Sequence, residues 1–155
     1  MKQQNKYISP QVICCADDLE RTGRYANEKQ YYQHGTTTVY EHCIQVADVS
    51  CRIARRLHLK VNDKALIRGA LLHDYFLYDW HDRQSCPRFH GFSHPYVAFK
   101  NANEDFCLNQ IESNIIKCHM FPLTPIPPTT KEGWLVCIAD KICALRECFA
   151  KRVVR

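Results

Sequence analysis

Five residues of the chain combine metal-binding side chains with positions on predicted apolar helix faces: His42, His73, Asp74, His119 and Asp140. Each lies three, four or seven residues from aliphatic side chains of its own segment, so it shares their inward direction. An ionised carboxylate costs several kcal/mol to bury, so two aspartates beside several imidazoles need a compensating charge. Imidazole nitrogens mixed with carboxylate oxygens suit zinc, manganese, iron or nickel. One such residue is explained as a satisfied core histidine or a capping aspartate, but five together favour a metal site.

Hydrophobic periodicity predicts helices to position these residues. Ser9 and Pro10 predict a helix start that continues to about Leu19, followed by a polar connector over 25–35. The capping box Thr38-x-x-Glu41 begins a helix of about five turns. Asn62 caps a third helix that ends near residue 73. We see no strand alternation, so the chain is predicted to be all-α.

The second half of the chain alternates helices with irregular segments. Residues 75–92 have many aromatic side chains and no helical period, which predicts an ordered functional loop. Ser93 and Pro95 predict a helix start, with the helix running to about 104, and another helix follows over 109–119. Four prolines make 121–130 a stiff surface crossing. The last helix, about 131–151, carries a predicted apolar stripe of Leu135, Val136, Ile138, Ile142, Leu145 and Phe149.

Composition limits the classes of protein to consider. With 155 residues, 46% hydrophobic and 24% charged, the chain is predicted to be one domain over residues 1–155. No run approaches the ~18 apolar residues of a membrane span, and the N-terminus lacks the apolar core of a signal peptide. The net charge is +5, but the basic residues are dispersed, which disfavours nucleic acid as a partner.

Ten cysteines are a second unusual feature of the composition. They contain no C-x-x-C pair, so a thiolate-bound zinc or an iron–sulfur cluster is disfavoured. Without a secretory signal a disulfide framework is also disfavoured. We interpret them as reduced thiols that act as small apolar side chains, with Cys43, Cys51, Cys137, Cys143 and Cys148 among aliphatic residues of predicted helices. This usage predicts a reducing, cytoplasmic environment.

The order of His42, the adjacent pair His73-Asp74 and a distant Asp140 in an A-D-K helix resembles the HD-domain superfamily of metal-dependent phosphohydrolases. The resemblance covers about residues 34–150, with 1–33 as an N-terminal helix and connector, and it implies a compact helical domain. In this superfamily the four residues hold one metal. His94 and His119 resemble the two further histidines of the binuclear subset, in which the Asp of the pair bridges two metals. One or two divalent ions of iron, manganese, nickel, zinc or cobalt are therefore implied.

The resemblance implies a small phosphorylated substrate, such as a nucleotide, whose phosphoester is cleaved by a metal-activated water. Asp74 would take part in catalysis as the bridging ligand. Asp79 and His81 are candidates for proton transfer, and His81, His90 and Lys141 are candidates for binding the phosphate. Loop hydrogen bonding, or for Lys141 an outward helix position, would explain these residues equally well. His34 and His58 are predicted to lie at the surface.

The chain departs from the superfamily directly after the histidine–aspartate pair. Many members continue with an aliphatic residue and Gly-Lys, whereas this chain has the aromatic segment YFLYDW at 75–80, and it lacks a G-Y-P signature. These departures argue against assuming cyclic-dinucleotide hydrolysis. The aromatic segment predicts either a wall that stacks on a planar ring or core beneath a lid. Two other functions remain open, a di-iron oxygenase with the same six ligands and a regulatory domain that binds a ligand without catalysis.

Overall fold

Six α-helices and one short hairpin form the described part of the chain. The protein is represented by a computed structural model that describes residues 8–153 except 83, 85 and 87, with side chains through Phe149. The predicted domain of residues 1–155 extends beyond this range at both ends. The helices are α1 (Pro10–Thr22), α2 (Val39–Arg56), α3 (Asp63–Leu72), α4 (His90–Asp105), α5 (Gln110–Cys118) and α6 (Lys131–Val153). The predicted all-α fold of about six helices is confirmed.

Helix α2 lies at the centre of the fold and packs against both α3 and α6. It begins with the predicted capping box: the Thr38 side chain accepts from the Glu41 backbone, and the Glu41 side chain accepts from the Thr38 backbone. Helix α3 begins as predicted, because the Asn62 side chain accepts from the Ala65 backbone amide. These caps satisfy backbone amides that have no partner within the helix, and so they define where each helix begins.

The segment between α1 and α2 contains structure that the sequence pattern did not predict. A 3₁₀ helix (Tyr25–Gln30) leads into β1 (Tyr32–His34), which pairs antiparallel with β2 (Thr37–Thr38). Gly35, at φ 67°, lies in the turn between the strands, where a left-handed backbone favours glycine. Strands of two or three residues are too short to show alternation, which is why we predicted only a polar connector here. The hairpin contacts α2 and α6.

Helices α3 and α5 approach each other closely at Gly69. A Cβ atom added to Gly69 would lie 2.4 Å from Ile115 Cδ1 and 3.2 Å from Ile115 Cβ, so glycine allows this approach. Both residues are buried. Gly69 precedes His73 by one helical turn, and Ile115 precedes His119 by one turn. The crossing therefore determines how two of the predicted ligands face each other.

We expect Gly69→Ala to lower the free energy of unfolding by about 1–2 kcal/mol, because the added methyl overpacks the crossing by more than alanine gains in helix propensity. Urea unfolding followed by circular dichroism measures this change. Gly91→Ala in α4 is the matched control, since its added Cβ would meet only Leu123 Cδ2, at 3.2 Å. Equal stability of the Gly69 variant and the wild type would contradict the proposed close packing.

Helix α4 begins four residues earlier than predicted, at His90 rather than after an N-cap at Ser93. Phe89, at φ 61°, adopts the left-handed conformation that turns the preceding loop into the helix. Pro95 therefore lies inside the helix and not at its start. Its missing amide removes one hydrogen bond near the end of the helix, where this loss is tolerated best. As a consequence, His90 and His94 lie one turn apart on the same helix face.

The apolar stripe predicted for α6 is wrong at three of its six positions. Leu135 and Val136 are buried, but Ile138, Leu145 and Phe149 are 47%, 58% and 59% exposed. The inward face instead carries the small residues Ala139 and Cys143, together with acidic side chains at 140 and 147. Small residues allow α6 to pack closely against α2 and α5, so the bulkier residues of the helix lie outside.

The structure describes all ten cysteines, and no disulfide joins any of them. Cys43, Cys51, Cys137 and Cys143 are buried, as predicted for small apolar side chains. Cys148 is exposed, so the prediction is wrong there, because the outward face of α6 includes it. Within the described residues, no helix is both long enough and apolar enough to cross a membrane.

Candidate metal centre

The six residues predicted as metal ligands are all buried, and they come from five separate segments. His42 lies within α2, His73 and Asp74 follow α3, His94 lies within α4, His119 follows α5, and Asp140 lies within α6. The packing of α2 against α3 and α6, and of α5 against α3, α4 and α6, brings these segments to one place. The five positions predicted from spacing, and His94, which the resemblance indicated, therefore converge in the interior.

The carboxylate of Asp74 lies between two sets of histidine rings. Its Oδ2 is 3.4 Å from His73 Nε2 and 4.0 Å from His42 Nε2. Its Oδ1 is 3.2 Å from His94 Nε2 and 3.4 Å from His119 Nε2. Each oxygen of one carboxylate thus faces a different pair of imidazole nitrogens, which is the arrangement expected of a bridging ligand.

Asp140 completes the first of these sets. Its Oδ1 lies 3.1 Å from His42 Nε2 and 3.7 Å from His73 Nε2. We call His42, His73 and Asp140 the first group, and His94 and His119 the second group. One possible ligand atom from each member of the first group lies within 4.8 Å of the others, and the same holds for His73, Asp74 and His119.

Each of the four histidines has its Nδ1 atom within hydrogen-bond distance of an acceptor. The acceptors are Ala70 O for His73 (2.7 Å), His90 O for His94 (2.9 Å), Ile116 O for His119 (2.8 Å) and Glu147 Oε1 for His42 (2.9 Å). Because carbonyl and carboxylate oxygens only accept, each Nδ1 carries the proton. When its Nε2 is deprotonated, a ring held in this way directs the Nε2 lone pair toward Asp74 or Asp140, as metal-binding histidines do.

The chemistry of the donor set fits divalent metal ions. His94 Nε2 and His119 Nε2 are 2.9 Å apart, and in the fixed tautomer both atoms carry lone pairs. Asp74 Oδ1, which faces both, is buried and has no hydrogen-bond partner among the described residues, and the same holds for His73 Nε2. Acceptor atoms that face one another in a buried space repel unless a cation lies among them. The second group with Asp74, and the first group with Asp74, therefore each fit one metal ion.

Electrostatics keeps the two aspartates ionised. Burial by itself raises the pKa of Asp74, but the neighbouring His73, with His119 and His94, holds that pKa well below its ordinary value. Burial also raises the pKa of Asp140, but its hydrogen-bonding contacts with His42 and His73 outweigh burial, so this pKa lies below its ordinary value. Burial lowers the pKa of His42, but the carboxylates of Asp140 and Glu147 outweigh this effect and raise that pKa to about 10. A metal ion on His42 therefore replaces a proton, so binding releases protons.

Two residues that the sequence analysis missed contact these ligands. Gln33, on β1, donates from Nε2 to Asp74 Oδ2 at 2.7 Å. Glu147, on α6, is buried and accepts from His42 Nδ1. Glu147 lies four residues from Cys143 and seven from Asp140, so the periodicity that identified Asp140 also applies to it. Gln33 lies in a short strand, and no pattern in the sequence pointed to it.

Glu28, on the 3₁₀ helix, is a third acid that the sequence analysis missed. It is fully buried, and within the described part of the chain neither carboxylate oxygen has a hydrogen-bond partner. Burial, reinforced by the negative charge of Asp74, raises the pKa of Glu28 well above its ordinary value. Its surroundings therefore favour the neutral, protonated form of Glu28 more than water favours that form of an exposed glutamate.

A cavity of about 560 Å³ opens beside the metal ligands, and its lining includes Asp74, His94, His119 and Asp140. The apolar part of its lining consists of Trp80, Gly91, Met120, Pro122, Leu123 and Ala144. This volume lies within the range of about 300–1,000 Å³ that is typical of small-molecule sites. A molecule in the cavity would have the ligand groups within reach of one end and apolar side chains around the remainder.

Aromatic rings from the 75–92 segment form part of this cavity. Trp80 and His90 stack in parallel, with ring centroids 5.1 Å apart and 5° between their planes. His34, predicted to lie at the surface, is half-buried: it lies edge-on to Trp80 and also lines the cavity. The unpredicted hairpin places it there. His58 is exposed, as predicted.

The predicted phosphate-binding residues differ in position. Lys141 lines the cavity beside Asp140, and its Nζ donates to His119 O at 2.9 Å and to Cys137 O at 3.2 Å. His90 also lines the cavity. Burial, together with the charge of His94, lowers the pKa of His90 to about 4, so the ring is neutral at pH 7.

Asp79 and His81, the candidates for proton transfer, lie at the surface. Their side chains are about half exposed, and His81 Nδ1 lies 3.3 Å from Asp79 Oδ1. Asp79 Oδ1 also accepts from the His81 backbone amide. Neither residue is among those that line the cavity. The structure therefore brings the six predicted ligands, His90 and Lys141 together. Asp79 and His81 lie outside the cavity lining, although the His81 ring packs against Trp80, with ring centroids 3.9 Å apart.

Comparisons with known proteins agree with this geometry at the level of the family. The family model described as HD domain matches residues 39–145, about two thirds of the chain. The match includes all six ligand residues and excludes Gln33 and Glu147. A search of curated proteins and a search of solved structures each found no match. HD domains bind divalent metals and are typically metal-dependent hydrolases, and this chain belongs to the HD domain family.

Proposed function

We propose that the protein is a metal-dependent phosphohydrolase that cleaves the phosphoester of a nucleotide or another small phosphorylated molecule. The observation that carries the proposal is the position of Asp74, whose two oxygens face two groups of histidine ligands at the edge of a cavity. Two ions shared by one carboxylate suit an in-line displacement at phosphorus, because they stabilise the attacking and the leaving oxygen together.

The residues of this chain have separate tasks in such a reaction. The first group and Asp74 would hold one ion, and the second group and Asp74 the other. When bound, divalent ions lower the pKa of water and neutralise phosphoryl charge. Lys141 lies beside Asp140 at the cavity lining, where its ammonium adds positive charge for a phosphate. The stacked pair Trp80 and His90 presents a flat wall to a base or another planar ring.

A panel of phosphoesters tests the proposal. The protein is freed of metal by chelation and then supplied with Mn²⁺, Ni²⁺ or Co²⁺. It is incubated with nucleoside monophosphates, cyclic nucleotides or p-nitrophenyl phosphate, and the released phosphate or nucleoside is measured. We expect hydrolysis of at least one member of the panel that depends on added metal and stops with a chelator. Metal binding without hydrolysis of any phosphoester would contradict the proposal.

A second candidate is a di-iron oxygenase of a small organic substrate, and the composition of the cavity favours it. The charged residues among the described cavity lining are Asp74, Asp140 and Lys141, and the other lining residues are neutral or histidine. An apolar cavity accepts an organic substrate as readily as a nucleoside. Protein purified without air distinguishes the two functions: two bound irons, consumption of dioxygen and no phosphoester cleavage would identify the oxygenase. Metal binding with neither reaction would favour a regulatory ligand-binding domain.

The proposed setting of the reaction is a reducing cytoplasm. Its support is that ten cysteines occur without a disulfide, five of them buried within the helices. We propose a small phosphorylated molecule as the partner, without a role for nucleic acid.

A further inference from the structure

We propose that Glu147 is a positioning residue that strengthens metal binding by the first group and leaves the second group unaffected. The proposal rests on the metal centre described above, and it does not depend on which substrate is turned over. Glu147 lies beyond the residues matched by the HD domain family model, which end at 145.

Two carboxylates of one helix contact opposite sides of the His42 ring. Asp140 Oδ1 lies 3.1 Å from His42 Nε2, and Glu147 Oε1 lies 2.9 Å from His42 Nδ1. The two acids are seven residues apart on α6, which is about two turns, so both point to the same side of the helix. His42 is fully buried, and Glu147 is 8% exposed. Helix α6 therefore supplies the ligand beside His42 and also the group that orients its ring.

Glu147 makes His42 different from the other three histidines. His73, His94 and His119 donate from Nδ1 to backbone carbonyls, whereas His42 donates to a carboxylate. A hydrogen bond to an ionised acceptor is roughly twice as strong as a neutral one. It also pushes electron density toward Nε2 and makes the ring a better metal ligand. The first group thus contains the one histidine, among the four, with a charged partner behind it.

The burial of Glu147 indicates that its contact with His42 is functional. Of the described residues, only His42 forms a hydrogen bond with the Glu147 side chain, and Oε2 is buried without a partner. Keeping a buried carboxylate with one hydrogen bond is costly. A positive charge at the His42 ring, from a proton or from a metal ion that replaces it at Nε2, offsets the charge of Glu147, whereas a neutral environment would favour an apolar side chain here.

The affinity for Co²⁺ tests the proposal without any measurement of hydrolysis. Protein freed of metal by chelation is titrated with Co²⁺ alone. To separate the two groups, each Glu147 variant is made in His119→Ala, which keeps the first group, and in His42→Ala, which disrupts it. In the His119→Ala background we expect Glu147→Ala to weaken Co²⁺ binding about 10–100-fold. Glu147→Gln retains an acceptor for His42 but loses the charge, so we expect a smaller loss. In the His42→Ala background neither change should alter binding.

Glu132→Gln is the matched control. Glu132 is also a buried acid of α6, and its Oε1 accepts from the Asn62 backbone amide at 2.8 Å, away from the ligand groups. We expect this variant to bind Co²⁺ as the wild type does. If Glu147→Ala unfolds, the nearly isosteric Glu147→Gln still carries the test, with folding checked by circular dichroism.

Three outcomes would overturn the assignment of Glu147: unchanged Co²⁺ affinity in the His119→Ala background, an equal loss in the His42→Ala background, or an equal loss in Glu132→Gln. A wild-type protein that binds no Co²⁺, Mn²⁺ or Zn²⁺ would instead overturn the metal centre itself. Cobalt binding that responds to Glu147 as expected, in a protein that hydrolyses no phosphoester, would support the inference and contradict only the proposed reaction.

Discussion

Replacement of Asp74 by alanine is expected to abolish binding at both metal positions and to lower hydrolysis by about a thousandfold or more. The reason is that its carboxylate is the one ligand that faces both groups, with Oδ2 toward His73 and Oδ1 toward His94 and His119. Without it the second group retains two imidazoles and no charged ligand. Metal content measured by plasma mass spectrometry, alongside phosphoester turnover, gives both values.

Asp79→Asn is the control for the loss of metal. Asp79 is an aspartate of the same segment, but it is half exposed and lies next to His81 at the surface. We expect this variant to bind metal as the wild type does, and its turnover independently tests the predicted role of Asp79 in proton transfer. Wild-type metal content in Asp74→Ala would contradict the assignment of the metal centre.

Replacement of His119 by alanine is expected to leave one bound ion instead of two and to reduce hydrolysis about a hundredfold. The second group would then consist of His94 alone beside Asp74, while His42, His73 and Asp140 keep their mutual contacts. Equilibrium dialysis with Mn²⁺ or Co²⁺ counts the ions that remain.

His58→Ala serves as the control for removal of a histidine, since His58 is exposed and distant in sequence from every ligand. It should retain both ions. If His119→Ala retained two ions with unchanged affinity, the second position would not exist as described. If the wild type bound only one ion and His119→Ala bound it equally well, the centre would be mononuclear.

The sequence predicted the helices, and the structure shows why side chains chosen as candidate ligands from local spacing lie together. The capping residues Thr38 and Asn62 are local signals, and both helices begin where these residues indicate. The spacing of the histidines and aspartates relative to aliphatic residues reflects the inward face of each helix, so it identified side chains that converge from distant segments. Local pattern was sufficient because the helices themselves position the ligands.

The positions that the sequence analysis predicted wrongly or missed also have physical explanations. The outward position of Ile138, Leu145 and Phe149 depends on which side of α6 meets its neighbours, and periodicity alone describes a face without saying where it points. Gln33 acts from a three-residue strand whose position depends on tertiary contacts with α2 and α6. Glu147 was detectable, because it repeats the spacing of Asp140, but a single acid on a long helix is also typical of a solvated face.

The separation of the ligands along the chain gives bound metal a role like that of a covalent cross-link. His42 and Asp140 are 98 residues apart, and a shared ion would close a loop of that length, which restricts the unfolded chain far more than it restricts the native one. Ligand binding that is confined to the folded chain also stabilises it by mass action. Loss of metal would then loosen the association of α2 with α6, so the same ions that serve chemistry would hold the two longest helices together.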